Sequence, residues 1–366
     1  MIDLSQSKVG VLVAQLGTPD APTPGALRPY LAQFLSDMRV IDIHPLLWQP
    51  LLRLVILNRR PKRSARLYQR IWTDEGSPLL IHSQKQVEGL QERLGCQYRV
   101  VLGMRYGTPS IESAMQTLEA EGIDRILVFP MFPQFSCATT GSVYDAVNIA
   151  AYGRRNPFVH DRKRNMPALR FVPPYYADQG YIAALAATIE ETVARLKQSP
   201  VRYLFTFHGI PRRYVDEGDP YRRHCEITAE HLAVALNLHN EQWQVSFQSQ
   251  FGREEWLQPY TEDTLHELGI QQLESLVAVC PGFTADCLET LDEIGNEGAH
   301  QFTESGGGTF TLVPCLNAHP VWLDAMTAIV RRETLGWLDD ANANTVGRNG
   351  NRAGAGAVRA SAAAGE

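Results

Sequence analysis

Leu204-Phe205-Thr206-Phe207-His208-Gly209-Ile210-Pro211 is a short apolar run that ends in one imidazole, a glycine and a proline. Its aromatic residues and threonine suit a buried strand, and Gly209 with Pro211 closes it in a sharp turn. His208 therefore stands where a strand meets its loop. Open α/β sheets bind ligands in the crevice beyond the carboxyl ends of their strands, so chemistry is natural at that position. An ordinary turn histidine, its ring nitrogens satisfied locally, would occupy it equally well.

The same punctuation occurs a second time. Val9 to Leu16 is a buried strand closed by Gly17-Thr18-Pro19, so Leu12 to Pro19 ends L-G-T-P where Leu204 to Pro211 ends H-G-I-P, with Leu16 opposite His208. Val100 to Gly107 is matched by Val245 to Gly252, strand and then glycine. Gly122-Ile123, the strand Ile126 to Phe129 and Pro130-Met131-Phe132 are matched by Gly269-Ile270, the strand Leu276 to Cys280 and Pro281-Gly282-Phe283. Helical periodicity at Leu27 to Leu35, Gln84 to Leu94 and Tyr181 to Lys197 falls among these strands. Chance rarely repeats several strand ends in one order.

The expected fold is thus α/β: two similar Rossmann-like halves, each a largely parallel sheet flanked by helices, facing each other across a cleft lined by strand ends. The basic, irregular stretch Arg154 to Pro167 marks the boundary, giving halves at 1–160 and 161–335. Residues 341–366 are Ala-, Gly-, Asn- and Arg-rich without an aromatic, and a disordered tail is expected there.

Composition narrows the function. The chain has 366 residues, 44% apolar and 20% charged, with a formal net charge of −6. It carries no basic footprint for nucleic acid. The six cysteines, Cys96, Cys137, Cys225, Cys280, Cys287 and Cys315, show no two-residue spacing of a zinc ribbon or redox pair, which suits a reducing cytoplasm. The start Met1-Ile2-Asp3-Leu4-Ser5 lacks a signal peptide's basic and apolar regions, and no apolar run reaches the ~18 residues of a membrane span.

Two stretches stand apart from this ordinary background. Leu46 to Leu57 is greasy and is followed by Arg59, Arg60, Lys62, Arg63 and Arg66, a pattern that fits either a lip on anionic headgroups or a buried helix with a solvated end. Pro281 to Glu293 reads P-G-F-T-A-D-C-L-E-T-L-D-E, a loop passing into a helix with Asp286, Glu289 and Glu293 on nearby faces. Helix-start carboxylates answer the helix dipole, which accounts for Asp286 better than for the two glutamates. An imidazole and a carboxylate at neighbouring strand ends can bind a divalent metal, move protons, or both.

These residues lead to a family. The chain resembles the ferrochelatases, most closely their proteobacterial branch, from about Val9 to Ile329. The likeness rests on L-G-T-P at Leu16 to Pro19, Y-Q-R-I and G-S-P within Tyr68 to Pro78, M-R-Y at Met104 to Tyr106 and Q-F-S-C-A-T-T-G-S at Gln134 to Ser142. F-H-G-I-P at Phe207 to Pro211, G-D-P-Y at Gly218 to Tyr221 and P-G-F-T-A-D-C-L-E-T-L at Pro281 to Leu291 complete it. The resemblance implies the class II chelatase fold and insertion of ferrous iron into protoporphyrin IX to give protoheme, with the macrocycle bent and two pyrrole protons lost.

It further implies that His208 and Glu289 are catalytic and ligate the iron, His208 acting as base, as ligand, or as both. Leu16, Tyr68, Ser77, Arg105, Tyr106, Phe132 and Trp256 would form the porphyrin pocket, with Arg105 a partner for a carboxylate or the metal route. Asp286 and Glu293 would extend the proton or metal path. The greasy lip would take poorly soluble porphyrin from a membrane surface, which favours protoporphyrin over more carboxylated coproporphyrin.

Two features depart from the animal members. No cysteine follows Cys315, so no [2Fe–2S] cluster and no permanent cofactor are expected, iron being a substrate. Cys287 stands where animal members carry a second histidine. A monomer is expected, in the cytoplasm or peripheral to the inner face of its membrane. The rival readings are a cobalt chelatase for an early corrinoid precursor, a tetrapyrrole carrier and a two-lobed solute-binding protein.

Overall fold

A computed structural model describes residues 8–153, 163–197, 201–252 and 254–338. The tail at 341–366 lies outside the described residues. Two four-stranded parallel sheets carry the fold. The first contains β1 (Val9–Thr18), β2 (Tyr98–Gly107), β3 (Arg125–Pro130) and β4 (Ala168–Phe171) in the order β2-β1-β3-β4. The second contains β5 (Arg202–His208), β6 (Trp243–Gln248), β7 (Ser275–Val279) and β8 (Thr309–Leu312) in the order β6-β5-β7-β8. Each half places its own first strand second in its sheet. β1 and β5 are covered on both faces, which is why they read as near-continuous apolar runs instead of alternating ones.

The repeat is one of register as well as order. Gly17 pairs with Tyr106 in the first half, and His208 with Gln248 in the second. After β2 the Met104 N–H donates to the Pro109 carbonyl at 2.6 Å, and after β6 the Phe247 N–H donates to the Pro259 carbonyl at 2.8 Å. The third strands agree too: β3 leads into a π-helical turn, Cys137–Gly141, and β7 into a longer one, Glu289–Gly298.

The boundary expected at 160 falls short of the first sheet's end. β4 belongs to that sheet, pairing with β3 from Arg125↔Ala168 to Val128↔Phe171. A four-residue edge strand, exposed or half-buried along its length, gives no apolar run to announce it. Val172-Pro173 after β4 and Val313-Pro314 after β8 then make a fourth repeated strand end.

The helices after those fourth strands join the halves. Gln179–Val193, after β4, packs on Tyr221–Ala235 of the second half, while Pro320–Glu333, after β8, packs on Pro78–Leu94 of the first. The two crossing helices also pack on each other. Their shared core runs from Val11 and Phe129 through Tyr181 and Trp322 to Phe205 and Val277. The Trp322 ring lies among Phe129, Tyr175 and Tyr181, with centroids 5.9–6.4 Å away.

The halves differ most between their first and second strands. From β5 to β6 the chain needs only Arg212–Asp216, Tyr221–Ala235 and one short turn. From β1 to β2 it builds Pro24–Leu35, Pro45–Leu51, the π-helical Leu52–Ile56, Leu57–Ile71 and Pro78–Leu94. Thr23 caps the first of these by accepting the Ala26 N–H, with Pro24 in the first turn where its missing N–H costs nothing. In the greasy segment Trp48 and Leu52 turn inward, the Trp48 Nε1 donating to the Leu35 carbonyl at 2.6 Å. Leu46, Leu47 and Leu54 turn outward at 79%, 73% and 72% exposure, so this helix is not the buried one that its hydropathy also allowed.

Candidate active site

His208 ends β5, half-buried, with its Nδ1 2.6 Å from the Gly209 carbonyl oxygen. A carbonyl can only accept, so Nδ1 carries the proton and Nε2 keeps its lone pair. Among the described residues nothing hydrogen-bonds Nε2. The Trp256 ring lies 6.3 Å from the imidazole, held there by the backbone bridge between Pro211 and Trp256.

The end of β6 fixes the acidic helix beside it. Gln248 Nε2 donates to the Glu289 carbonyl at 3.0 Å, and Ser249 Oγ donates to Glu293 Oε2 at 2.6 Å. Burial raises the Glu293 carboxyl above its ordinary range; the Ser249 hydroxyl and His208 work against that rise, and Glu289 adds to it. Glu289 is close enough to the first half for its charge to be felt there. Burial first, and then the nearby Glu289 charge, push the Tyr30 phenol up, and Tyr68 rises through burial, Tyr30 and Glu289. Leu16 packs on the same aromatic cluster, together with Leu288 and Leu291 from the second half. His208, Trp256, Glu289, Glu293, Leu16 and Tyr68 are thus gathered in one place.

Other expected pocket residues are placed elsewhere or have other partners. Tyr106 is fully buried; its hydroxyl donates to Asp37 Oδ2 at 2.8 Å. Arg105 forms an ion pair with the same Asp37 oxygen and donates from Nε to Ser142 Oγ at 2.6 Å, so its charge is already matched inside the protein. Asp37 stays ionised: burial would raise its carboxyl, but Ser142, the Arg39 N–H, Tyr106 and Arg105 together lower it. Ser77 is buried against Thr18, hydroxyl to hydroxyl at 2.8 Å. Phe132 packs beside the cluster of Leu12, Val128 and Val143.

Asp286 belongs to a different network. Its Oδ1 accepts the Cys315 N–H at 3.1 Å and its Oδ2 accepts from Asn317 Nδ2 at 2.7 Å, which ties the loop after β7 to the loop after β8. Cys287 is buried, and burial, reinforced by Glu289, keeps its thiol protonated. Among the described residues no group of three or more His, Cys, Asp or Glu side chains is placed to hold a metal ion.

Ser249, Gln248 and Tyr30 at the gathered site, and Asp37 and Ser142 beside Arg105 and Tyr106, are residues that sequence reasoning does not single out. Ser142 alone carries a signal, as the last residue of Q-F-S-C-A-T-T-G-S. Ser249 takes a left-handed backbone conformation (φ 66°) in a serine, which nothing in composition announces. G-D-P-Y works as a structural clamp on the Q-F-S-C loop, since Asp219 Oδ2 accepts the Ser136 hydroxyl at 3.0 Å and the Cys137 N–H at 2.7 Å.

The ferrochelatase family model matches residues 8–334. Ferrochelatase 1 of Shewanella oneidensis is 46% identical over 333 residues, covering 90% of this chain and 97% of its own. The Brucella canis ferrochelatase is 47% identical over 335 residues, covering 90% and 93%, and that of Thioalkalivibrio sulfidiphilus is 47% identical over 333 residues, covering 90% and 88%. Among solved structures, SirB from Bacillus subtilis with Fe3+ superposes with a TM-score of 0.53 at 12% identity, covering 93% of this chain and 98% of that one. The sirohydrochlorin chelatase SirB of Bacillus subtilis subspecies spizizenii with cobalt gives 0.51 at 12% identity, covering 89% and 95%. At such identity these two likenesses concern the fold alone, that of the class II chelatases. The chain belongs to the ferrochelatase family, enzymes that insert iron into porphyrin in heme biosynthesis.

Proposed function

We propose that the substrates are protoporphyrin IX and ferrous iron, and that His208 Nε2 is the group that meets the macrocycle. The carrying observation is the 2.6 Å contact between His208 Nδ1 and the Gly209 carbonyl oxygen: a carbonyl only accepts, which puts the proton on Nδ1 and the lone pair on Nε2. Such a nitrogen takes a pyrrole proton near neutral pH or donates to the incoming iron. Two pyrrole protons leave as ferrous iron binds the four nitrogens, so the dianionic macrocycle and the dication combine without change of oxidation state. Glu293, with its raised affinity for protons and its closeness to His208, is the next acceptor, and Glu289 supplies a carboxylate at the cleft. Asp286 is left out of this path because its oxygens already accept from Cys315 and Asn317.

The substrate's carboxylates need a cation that is free. Arg105 is paired with Asp37, whereas Arg60 lies 4.8 Å over the Phe251 ring and has no carboxylate partner among the described residues. We assign Arg60 that role. Anaerobic incubation with protoporphyrin IX and ferrous iron, followed by porphyrin absorbance, tests the reading. Binding without insertion by the intact protein would leave a carrier in place of an enzyme.

The outward leucines support a second element. Leu46, Leu47 and Leu54 project beside Arg53, Arg59, Lys62, Arg63 and Arg66, an apolar tip with a cationic collar suited to an anionic bilayer surface. No described helix is long and apolar enough to cross a membrane. Co-sedimentation with vesicles containing phosphatidylglycerol should fall severalfold in Leu47→Glu/Leu54→Glu; equal sedimentation would remove the lip from the proposal.

A further inference from the structure

The helix Glu289–Gly298 is π-helical over ten residues, although π geometry is usually confined to single turns. Something outside the helix must hold so long a stretch. One contact matches its geometry. Arg70 Nη1, on the first-half helix Leu57–Ile71, lies 2.9 Å from Glu297 Oε1 and 3.3 Å from Asp292 Oδ2. Those two acids are five residues apart. In an α-helix, five residues place side chains about 140° apart around the axis, too far round for one nitrogen to hold both. The i→i+5 bonding of a π-helix brings them to the same side. Asp292 is buried, its side chain 3% exposed, and its other hydrogen-bond partner is the neighbouring Asn296, so most of its compensation comes from the opposite half.

We propose that Arg70 is a positioning residue, which sets the π register of Glu289–Gly298 from across the cleft by gripping Asp292 and Glu297 together. The register decides where the other two acids point. Glu289 and Glu293 are four apart; the charge of His208 is felt at Glu293, and that of Glu289 at Tyr30 and Tyr68. If the helix relaxed to α geometry, the inner pair would turn relative to the outer pair. The first half, which brings neither the histidine nor the acids, thereby controls their aim. This inference rests on the reading of Glu289 and Glu293 as the groups that handle iron and protons.

Arg70→Ala and Glu297→Gln, each made in the full chain, test it by two readouts. Hydrogen exchange should quicken in 289–298 by about tenfold while the β1 and β5 amides keep their protection. The KM for ferrous iron should rise several-fold with the KM for porphyrin unchanged, and Arg70→Lys should recover part of both losses. For Arg70→Ala a role limited to charge gives the opposite kinetic sign, because removing a cation near a cation's route would lower the iron KM; for Glu297→Gln the exchange rate is the deciding readout. Unchanged exchange in both variants, or an iron KM that falls or stays in Arg70→Ala, overturns the proposal. Exchange is measured without turnover, so a chain that inserted no iron would still report whether Arg70 holds the register. Glu297 is exposed, and its replacement by glutamine leaves the folded core untouched.

Discussion

The two halves of this chain repeat a strand order, a register and even a π-helical turn, yet only one of them carries reactive groups. Near the end of β1 stands Leu16; at the matching position of the repeat, the last residue of β5, stands His208. The first π-helical turn is C-A-T-T-G, without charge, and the second opens E-T-L-D-E. In exchange the first half has an inserted helical region between β1 and β2 that provides aromatic walls, Arg60 and Arg70. On the proposed function, the duplicated scaffold divides its labour, one copy supplying the acid–base groups and the other the wall that receives the substrate and braces those groups.

Breaking the comparison at its sharpest point gives the largest effect. His208→Ala is expected to lower the rate of iron insertion by about 10²–10⁴-fold, the usual worth of a positioned general base. Leu16→His added to that variant should restore nothing, since the π-helical turn of the first half, Cys137–Gly141, carries no glutamate to work with it. Recovery of porphyrin metallation above the single variant would show that the halves are interchangeable and the division unreal.

The next test compares the glycines after those two residues. Gly17 has φ +112°, and a β-carbon there would stand 1.7 Å from the Tyr106 carbonyl oxygen. Gly209 has no such dihedral; its β-carbon would meet the Gln248 carbonyl oxygen at 2.9 Å and the Trp256 ring at 3.1 Å. Gly17→Ala should cost about 3 kcal/mol or more, and Gly209→Ala about 1–2 kcal/mol, in urea unfolding. Equal costs would mean that the strand ends are not held as differently as their contacts imply.

The sequence made the repeat visible because buried parallel strands are long apolar runs with fixed punctuation at their ends. It hid β4 and β8, four-residue edge strands that lack such a run, and so put the boundary before Ala168 instead of after Phe171. Much the same split holds for the site. The position of His208 was legible because one polar ring at a strand end is conspicuous, and the closeness of Glu289 and Glu293 because acids at helical spacing fall on nearby faces; their roles in the reaction belong to the proposal. Tyr106, Ser77 and Arg105 match the motifs and hydrogen-bond within the protein, to partners distant in sequence such as Asp37, Ser142 and Thr18 that no motif announces. Arg70 was unreadable for a related reason: its meaning lies in a π register and in a contact 222 residues away along the chain.

The smallest expected effect concerns the acid that the first half lacks. The Glu293 carboxyl is raised above 4.5 in the folded protein, chiefly by burial. Between that value and its higher folded one, the native state holds more protons than the unfolded chain, so Glu293 makes stability fall as pH rises through the window. Above the window the full cost remains. Glu293→Gln should therefore match the wild type near pH 4 and exceed it at pH 7, with the gap opening across the interval. Thr140→Val, in the uncharged π-helical turn and at a hydroxyl that is buried without a partner among the described residues, should differ from wild type by the same small amount at both pH values. Paired urea titrations at pH 4 and 7 decide it: a glutamine variant no more stable at pH 7, or a valine variant whose difference moves with pH, would remove the electrostatic distinction between the two turns. The predicted outcome would mean that the second half keeps, at a cost to its own stability, a buried carboxyl suited to accept protons from His208.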